Sequence, residues 1–355
     1  MNNNCEIKRL SPALCTQWDD YVKAHQHGSF FHLSGWQMVI DKSFHHPCYF
    51  LYAQQGGVMC GVLPLVEVKS KLFGHALVST PFCVYGGAVA DSIDIVRQLE
   101  QEACQLAERL QVDYLELRYK DRQESTLLLK QAHSTFGCEI AQNSDKILAS
   151  IKKKQRAVIR HSLNNKLNCS ISDNVNISDT QQEDFNDFYL LLSNSYRNLG
   201  TPIFTKCYFE NLMATFGDCS DITVIRDKDN QPSSAVMNFY FNKQVLPYYG
   251  GGNENARGLK SADFMYYKIM CHAQEKGKTW FDFGRSKNDS GSYKYKKNWG
   301  MEPQPLHYYY HLVNANELPN LSPNNPKYKF FISMWQKLPL NVSQIVGPFL
   351  SKYLG

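Results

Sequence analysis

Residues 248–285, YYGGGNENARGLKSADFMYYKIMCHAQEKGKTWFDFGR, contain the order of elements that decides the fold. A strand ending in Tyr-Gly-Gly leads through a glycine-rich turn into an apolar helix over 261–276, and a short strand then ends at Arg285. Two apolar strands, 221–227 and 235–241, precede this segment and flank a turn of Asn, Pro and Ser. The sequence therefore predicts a mixed α/β unit in which a hairpin feeds a sheet that helices cover.

The first half of the chain repeats this order of elements. YFLYA at 49–53 and VMCGVLPLVEV at 58–68 predict a hairpin, VYGG ends at Gly87, and an amphipathic helix with a serine cap runs over 92–110. The strand DYLELR then ends at Arg118. Because order and spacing are similar in both halves, we interpret the chain as two copies of one unit, although matches this short also arise by chance.

Composition restricts the class of protein. With 355 residues, 43% of them hydrophobic and 20% charged, the chain is typical of a folded protein of two domains. The net charge of +5 is too small to predict a polyanionic partner by itself. Eleven cysteines without a CxxC motif fit neither a disulfide framework nor a zinc site. This favours a reducing, cytoplasmic setting and predicts no metal.

Two changes in composition divide the chain. The basic stretch 151–166 lies between the two copies, so we expect a first unit over 1–150 and a second over 151–325. Residues 326–355 are apolar and aromatic but interrupted by proline and glycine, which predicts a segment that docks on the protein or lies on a membrane surface. Since neither a secretory signal nor a run of about 18 apolar residues is present, we expect a cytoplasmic protein with peripheral membrane contact left open.

Three segments carry a resemblance to a known family: FFHLSGW at 30–36, SKLFGHALVSTPFCVYGG at 70–87 and FDFGRSKNDSGSYKYKKNWGMEPQPLHYYY at 281–310. They make the chain similar, over almost its whole length, to the FemAB-like proteins associated with exosortase and PEP-CTERM systems. The resemblance implies two tandem GNAT-like units, the fold of acyl-CoA N-acyltransferases. It further implies transfer of an acyl or aminoacyl group onto an amine of a cell-envelope or exopolysaccharide-related precursor. The implied donor substrate is acyl-CoA or aminoacyl-tRNA, without a metal or prosthetic group.

The resemblance leaves two alternatives open. One is an aminoacyl-tRNA-dependent peptidyltransferase, although the sequence lacks the long charged hairpin that some cell-wall relatives use as an arm toward tRNA. The other is a non-catalytic scaffold that retains the fold. Fold analogy alone does not decide between donors or acceptors.

The basic segment RSKNDSGSYKYKK, 285–297, is the first candidate for a donor site. Arginine and lysine neutralise phosphates, and aromatic side chains between them stack on a nucleobase. The residues predicted to contact phosphate are Arg285, Ser286, Lys294 and Lys297, and those predicted to shape the pocket are Tyr293 and Trp299. A solvated hairpin whose tyrosines support the sheet is the alternative.

The glycine-rich turn 248–263 is the second candidate. It precedes a helix whose N-terminal amides favour anions, and the resemblance to GNAT proteins places the pyrophosphate of the donor at this point. The residues predicted to bind the donor here are Arg257, Gly258 and Lys260, and those predicted to line its pocket are Tyr249 and Gly250. A glycine-rich connection without a ligand is the alternative.

Acyl transfer to an amine needs a route for the proton of the amine and a group that stabilises the oxyanion. Asp282 and Arg285 are the predicted catalytic residues: Asp282 acts as base or orients Arg285, and an ion-paired structural aspartate is the alternative. In the first unit, Trp36, Tyr85 and Gly86 are candidates for an acceptor groove. They fit a tight turn and a core equally well.

Overall fold

The computed structural model describes residues 5–172, 179–319 and 326–354. They divide into two compact units. The chain segments of unit 1 are Met1–His133, Pro305–Asn320 and Lys352–Gly355, and those of unit 2 are Ser134–Gln304 and Leu321–Ser351.

The boundary between the units falls after His133, whereas the sequence analysis placed it after residue 150. The intervening residues form strand β9 (His133–Glu139) and helix α4 (Ser144–Ser150). Phe136 and Ile147 from these elements are buried in the same core as the apolar residues of the second half. Packing, which the sequence does not show directly, therefore assigns them to unit 2.

Unit 1 contains two sheets and three α-helices within its described residues. Its elements are β1 (Glu6–Arg9), α1 (Cys15–Ala24), α2 (Gly35–Phe44), β2 (Leu51–Gln55), β3 (Val58–Leu63), β4 (Val66–Ser70), β5 (Gly74–Val78), β6 (Val89–Ala90), α3 (Ile93–Arg109), β7 (Tyr114–Tyr119), β8 (Leu128–Lys130) and β16 (His307–Leu312). The strand orders are β1-β2-β3-β6 and β4-β5-β7-β16-β8. Strands β5 and β7 pair in parallel, and the other paired strands run antiparallel.

The helix predicted over 92–110 is confirmed as α3. The side chain of Ser92 caps it by accepting a hydrogen bond from the backbone N–H of Ile95. Its apolar stripe is buried in the core of unit 1, as the three- and four-residue spacing requires: Ile95, Val96, Leu99, Ala103 and Leu106.

Two predicted strands of unit 1 differ in the structure. The single strand expected over 58–68 is divided into β3 and β4, which belong to different sheets. Pro64 lies between them, and proline has no N–H with which to continue a ladder. The VYGG stretch ending at Gly87 was expected to close a strand, but it lies in a buried irregular segment over 79–87.

The segment 79–87 follows β5 and lies where β5 and β7 cease to pair. The two strands pair as far as Val78 and Glu116. Beyond that point the N–H of Arg118 donates to the hydroxyl of Ser79, and the N–H groups of Gly86 and Gly87 donate to the carbonyl oxygen of Arg118. The gap between the two strand ends in unit 1 is therefore filled by the chain itself.

Unit 2 is built around one seven-stranded sheet in the order β10-β11-β12-β13-β14-β9-β15. Its remaining elements are α5 (Lys153–Leu163), β10 (Asn168–Ser172), α6 (Asp179–Leu199), α7 (Lys206–Phe216), β11 (Ser220–Arg226), β12 (Pro232–Phe241), β13 (Gln244–Gly252), α8 (Asn255–Leu259), α9 (Ser261–Glu275), β14 (Trp280–Lys287), α10 (Gly291–Trp299), β15 (Gln304–Pro305), α11 (Pro326–Trp335) and α12 (Leu340–Ser351).

Most of the pattern predicted for the second half is confirmed. The hairpin is β11–β12, the strand ending in Tyr-Gly-Gly is β13, and the apolar helix is α9. Helix α9 buries residues on more than one face, among them Phe264, Met265, Ile269 and Ala273. It therefore forms part of the core of unit 2.

The basic segment 285–297 is neither a loop nor a hairpin over most of its length. Its first residues end β14, and its second half is helix α10. Ser290 caps this helix by accepting from the N–H of Tyr293, and no proline or glycine interrupts 292–299. Because successive residues of a helix point to different sides, Lys294 and Lys297 are exposed to solvent whereas Lys296 is buried.

Helices α11 and α12 occupy the predicted C-terminal segment. Among the helices that the structure describes, none has both the length and the apolar character needed to cross a membrane.

Candidate functional site

Strands β13 and β14 separate at their carboxyl ends and create an opening in the sheet of unit 2. They run parallel and pair only at Gln244–Trp280 and Val245–Phe281. Strand β13 also contains a bulge: Met237 of β12 pairs with Tyr249 and Asn238 of β12 pairs with Pro247, so the intervening Tyr248 of β13 has no partner residue in β12. In α/β sheets, ligands bind outside the carboxyl ends of parallel strands at points where neighbouring strands diverge.

Helix α6 lies directly against the glycine-rich end of β13. A Cβ atom on Gly251 would lie 2.6 Å from the carbonyl oxygen of Leu191 and from the Cα of Leu192. The hydroxyl of Ser195 bonds both backbone groups of Gly252, donating to the carbonyl oxygen at 3.0 Å and accepting from the N–H at 2.8 Å. Glycine at 251 therefore allows the close approach that fixes this strand end.

Replacing Gly251 with alanine is expected to lower the free energy of unfolding by about 1–3 kcal/mol, because the backbone of α6 must move to admit the methyl group. Gly258 is the matched control: it lies in α8, and outside its own helix backbone and chain neighbours no described atom lies within 4 Å of the position of its Cβ. Gly258→Ala is expected to leave stability unchanged or raise it by up to about 1 kcal/mol. Urea unfolding of both variants measures the difference, and equal stabilities would contradict this account of Gly251.

A cavity of about 440 Å³ opens beside the same strand end. Backbone of Gly250–Gly252 forms one wall, and Arg257, Lys260 and the first residues of α9 form another. The 15-residue helix α9 has no side-chain cap at its N-terminus. The positive end of its dipole, together with Arg257 and Lys260, suits a negatively charged ligand.

Asp263 lies in this wall and organises its neighbours. The side chain is only 9% exposed, and its Oδ1 accepts from Gln155 Nε2 at 2.6 Å and from the hydroxyl of Tyr295 at 2.8 Å. Burial, reinforced by the charge of Asp263, raises the pKa of Tyr295 far above its usual range and that of Tyr266 to about 12. Both phenols are therefore protonated near neutral pH, and that of Tyr295 donates to Asp263.

A second cavity, of about 650 Å³, shares Arg257, Lys260, Asp263 and Tyr295 with the first. Helices α5 and α10 form its other sides. Five cations line the two cavities: Lys152, Lys154, Arg257, Lys260 and Lys297. Asp263 is the one carboxylate among the lining residues, and it is engaged by two neutral donors. The pair of cavities is therefore strongly electropositive.

Lys296 occupies an unusual position at the diverging end of β14. Its Nζ donates to the carbonyl oxygens of Gly284 at 3.0 Å and Arg285 at 2.9 Å, and it lies over the rings of Phe136 and Phe283. Burial lowers the pKa of Lys296 to about 7, while the charge of Asp282 acts in the opposite direction. The buried amine is therefore deprotonated more readily than that of an ordinary lysine.

The structure brings together part of the predicted donor site. Four predicted residues line at least one cavity: Gly250, Arg257, Lys260 and Lys297. Gly258 and Lys294 are exposed and line neither. Tyr249 is buried, and its hydroxyl lies 2.8 Å from that of Tyr208.

Five other predicted residues lie on β14 and α10 but line neither cavity: Asp282, Arg285, Ser286, Tyr293 and Trp299. Asp282 is buried, and its Oδ1 accepts from the N–H of Gly284. Burial raises the pKa of the Tyr196 phenol, and the positive charge of Arg285 opposes this effect without cancelling it. Trp299 is a core residue that contacts Phe283 and Tyr295.

The candidate acceptor residues of unit 1 lie in its interior. Trp36 is fully buried and donates through Nε1 to the carbonyl oxygen of Phe30. Tyr85 is 5% exposed, and Gly86 donates its N–H to Arg118. These contacts are those of a packed core and a tight turn.

Three residues of the site were not singled out from the sequence: Gln155, Asp263 and Tyr266. Tyr295 and Lys296 belong to the basic segment 285–297, whose cations and aromatic side chains were predicted to bind the donor, but burial of Lys296 was not predicted. One signal was available, since Asp263 is an acidic residue in the first turn of an otherwise apolar helix.

Among the described residues, no group of three or more His, Cys, Asp or Glu side chains is placed to hold a metal ion.

Comparison with known proteins gives one domain match and several matches of fold. Residues 153–297 match the family model of the acetyltransferase (GNAT) domain. No curated protein matches the sequence.

Three solved structures cover nearly all of the chain at low identity. FemX is 16% identical with a TM-score of 0.66, covering 92% of this chain and 100% of its own. L-PGS from Bacillus licheniformis is 13% identical with a TM-score of 0.56, covering 94% and 99%. A tandem GNAT protein from the clavulanic acid biosynthesis pathway is 11% identical with a TM-score of 0.52, covering 88% and 100%. At these identities the matches show the fold.

The fold is that of tandem GNAT proteins, with sheets flanked by helices, as the sequence predicted. The domain match runs from the start of α5 into α10 and includes both diverging strands and most of the residues that line the two cavities. Fold and domain match together define the protein as an acyltransferase.

Proposed function

We propose that this cytoplasmic enzyme transfers an acyl or aminoacyl group from a phosphate-bearing donor onto an amine of a cell-envelope or exopolysaccharide-related precursor. The donor is acyl-CoA or aminoacyl-tRNA. The link to an exosortase and PEP-CTERM system rests on the sequence resemblance. All eleven cysteines are free thiols, which supports a reducing compartment.

One observation carries the proposal: a cluster of cations surrounds the uncapped N-terminus of α9 beside two diverging parallel strands. Phosphate groups match this site, because Arg257 and Lys260 supply charge while the N-terminus of the helix, which no side chain caps, supplies N–H groups. The cavity volumes of about 440 and 650 Å³ are in the range of small-molecule sites. We expect the acyl chain to pass between the diverging strands, which pair at only two residue positions.

The reaction is a direct transfer. A neutral amine attacks the donor carbonyl and forms a carbon–nitrogen bond through a tetrahedral oxyanion. Collapse of the oxyanion breaks the carbon–sulfur bond of a thioester, or the carbon–oxygen bond of a tRNA ester. The proton lost by nitrogen ends on the leaving sulfur or oxygen. The enzyme therefore has to stabilise negative charge and move one proton.

Lys296, Asp282 and Arg285 are the groups that we assign to this chemistry. Protonated Lys296 has three N–H groups, two of which bond to the carbonyls of Gly284 and Arg285, so one remains for an oxyanion. The negative charge of Asp282 favours that protonated form. Arg285 adds a second cation at the same strand end.

The second candidate, aminoacyl-tRNA-dependent peptidyl transfer, is favoured by the second cavity. Lys152, Lys154 and Lys297 line it beyond the part that it shares with the first cavity. Further cations of α5, Lys153, Arg156 and Arg160, continue along the same helix. Such a surface resembles the tracks that bind nucleic-acid backbones, whose affinity falls steeply with salt.

A donor screen by thermal unfolding tests both candidates. Full-length protein is heated with CoA, acetyl-CoA, uncharged tRNA or aminoacyl-tRNA at low and physiological salt. A ligand at one hundred times its Kd is expected to add about 2.7 kcal/mol of stability, which raises Tm by several degrees.

The pattern of shifts separates the donors. A shift with CoA compounds alone supports the acyl-CoA donor. A shift with tRNA alone, weakening from low to physiological salt, supports the peptidyltransferase. No shift with any donor at saturating concentration would contradict the proposed function and favour a non-catalytic scaffold.

A further inference from the structure

Helix α12 in unit 2 presents its apolar face to solvent and its small residues to the protein. Ser343, Gly347 and Ser351 are buried, at four-residue spacing. Gly347 allows close packing, since a Cβ there would lie 2.9 Å from the backbone nitrogen and oxygen of Ile203. The exposed residues, at spacings of three and four, are Val342, Ile345, Val346 and Phe349.

This orientation of α12 is the reverse of the one expected for a helix on the surface of a protein in water. An ordinary surface helix buries its apolar stripe and exposes its polar side chains. Here Ile345 and Phe349 are each 68% exposed while two serines of the same helix are almost completely buried. The buried face is suited to close contact with the protein, so the exposed face is available for another apolar partner.

Helix α11 adds to the exposed apolar surface of unit 2. Phe330 is 73% exposed and Met334, one turn later, is 54% exposed. Trp335 points inward and is 4% exposed. Gly200, which follows α6, lies against Ile332 of α11, and its neighbour Leu199 is 70% exposed. Several large apolar side chains exposed on neighbouring stretches of the chain are typical of an interaction site.

The charges around these helices indicate what covers them. Residues 318–355 contain four lysines and no aspartate or glutamate. Lys329 lies in the first turn of α11 and Lys337 two residues beyond its last residue, and both are exposed. Aromatic and aliphatic side chains flanked by lysine are the composition of helices that lie in the interface of an anionic bilayer. A second copy of the same surface would instead bring like charges together.

We infer that α11 and α12 form a docking surface for an anionic lipid bilayer. Phe330, Met334, Ile345 and Phe349 enter the boundary between headgroups and acyl chains, and the lysines bind anionic headgroups. At 12 residues, α12 is too short to cross a bilayer, which takes about 20, so it lies along the surface. The inference is independent of the identity of the acyl donor.

Vesicle co-sedimentation of the full-length protein tests the inference. Vesicles of phosphatidylcholine with phosphatidylglycerol are compared with vesicles of phosphatidylcholine alone. The wild-type protein is expected to sediment with the anionic vesicles, at least about tenfold more strongly than with the neutral ones. Two double variants, Ile345→Gln with Phe349→Gln and Lys329→Gln with Lys337→Gln, are each expected to weaken binding by about tenfold or more.

Leu72→Gln is the matched control, because Leu72 is 77% exposed in the turn between β4 and β5 of unit 1. It is expected to bind vesicles as the wild type does. Since every substituted side chain is exposed, all variants are expected to retain Tm within about two degrees. The stabilisation by donor is also expected to persist, which separates this inference from the proposed function.

Three results would overturn the inference. The first is equal binding of the wild type to both kinds of vesicle or to neither. The second is unchanged binding after Ile345→Gln with Phe349→Gln. The third is a wild-type dimer in sedimentation equilibrium that this double variant converts to monomer, because a second copy would then be the partner.

Discussion

Replacing Lys296 with methionine is expected to lower kcat about a hundredfold to a thousandfold, the usual cost of removing one donor to an oxyanion. Methionine retains much of the volume of the lysine side chain but cannot donate a hydrogen bond or carry charge. The variant is expected to stay folded, because it no longer holds an amine whose pKa burial has lowered to about 7. Steady-state kinetics with the donor found by the screen, together with Tm, measures both effects.

The same residue predicts a dependence of stability on pH. The pKa of Lys296 is about 7 in the folded protein and 10.5 ordinarily, so between these values the unfolded chain binds more protons than the folded one. The free energy of unfolding of the wild type, relative to Lys296→Met, should therefore rise with pH across this window. The slope is at most about 1.4 kcal/mol per pH unit. Below pH 7 the difference should be constant.

Lys228→Met is the matched control, since Lys228 is 68% exposed in the turn between β11 and β12. It is expected to change neither kcat nor the slope. Lys296→Met with normal kcat would contradict the catalytic assignment, and a variant with the wild-type slope would contradict the lowered pKa. The two results are independent, because a buried lysine with a purely structural role would still change the slope.

Replacing both Arg257 and Lys260 with glutamine is expected to raise the Kd of the donor about a hundredfold or more. Each hydrogen bond to a charged group contributes about 1.5–3 kcal/mol, and both side chains line both cavities. Kd is measured by titration at physiological salt. The charge effect should diminish at high salt, because ions screen the remaining cations.

Arg122→Gln is the control for this pair, because Arg122 is an exposed arginine of unit 1. It should leave the Kd unchanged. A double variant that keeps wild-type affinity would show that the donor binds elsewhere. Equal losses of affinity in the double variant and the control would show that only the net charge of the protein attracts the donor.

The sequence was sufficient for the elements with regular apolar spacing and a local boundary signal. Helix α3 has both an apolar stripe and a serine cap, and α9 follows a glycine-rich turn. The position of Arg257 and Lys260 beside the start of α9 was also predictable, since both precede that helix in sequence, while their contact with a donor stays a prediction. These features depend on contacts close in sequence.

The environment of Lys296 depends on contacts that are distant in sequence. Lys296 belongs to the segment 285–297, whose five cations are typical of a solvated surface. Its burial depends on the ring of Phe136, which comes from β9, a strand that precedes helix α5 in the sequence. Likewise, Gln155 reaches Asp263 only after α5 has packed on α9. No local pattern identifies which lysine of such a segment is buried.

The two units also differ at the end of their parallel strand pair, which the similar order of their elements did not predict. In both, a parallel pair of strands separates after two or three residue pairs. In unit 1 the segment 79–87 continues from the end of β5 and bonds to the end of β7, whereas in unit 2 glycines and cations surround an open cavity. Similar element order therefore predicted similar folds but not equal capacity to bind a ligand.

Helix α6 contacts both the glycine-rich end of β13 and helix α12. One helix therefore lies between the exposed apolar surface and the strand end that borders the 440 Å³ cavity, where we propose that the donor binds. Thermodynamic linkage then sets a condition on the enzyme: any factor by which vesicles change donor affinity must equal the factor by which donor changes vesicle affinity. A donor that displaces α6 at Gly251 would also alter the affinity of the protein for the bilayer.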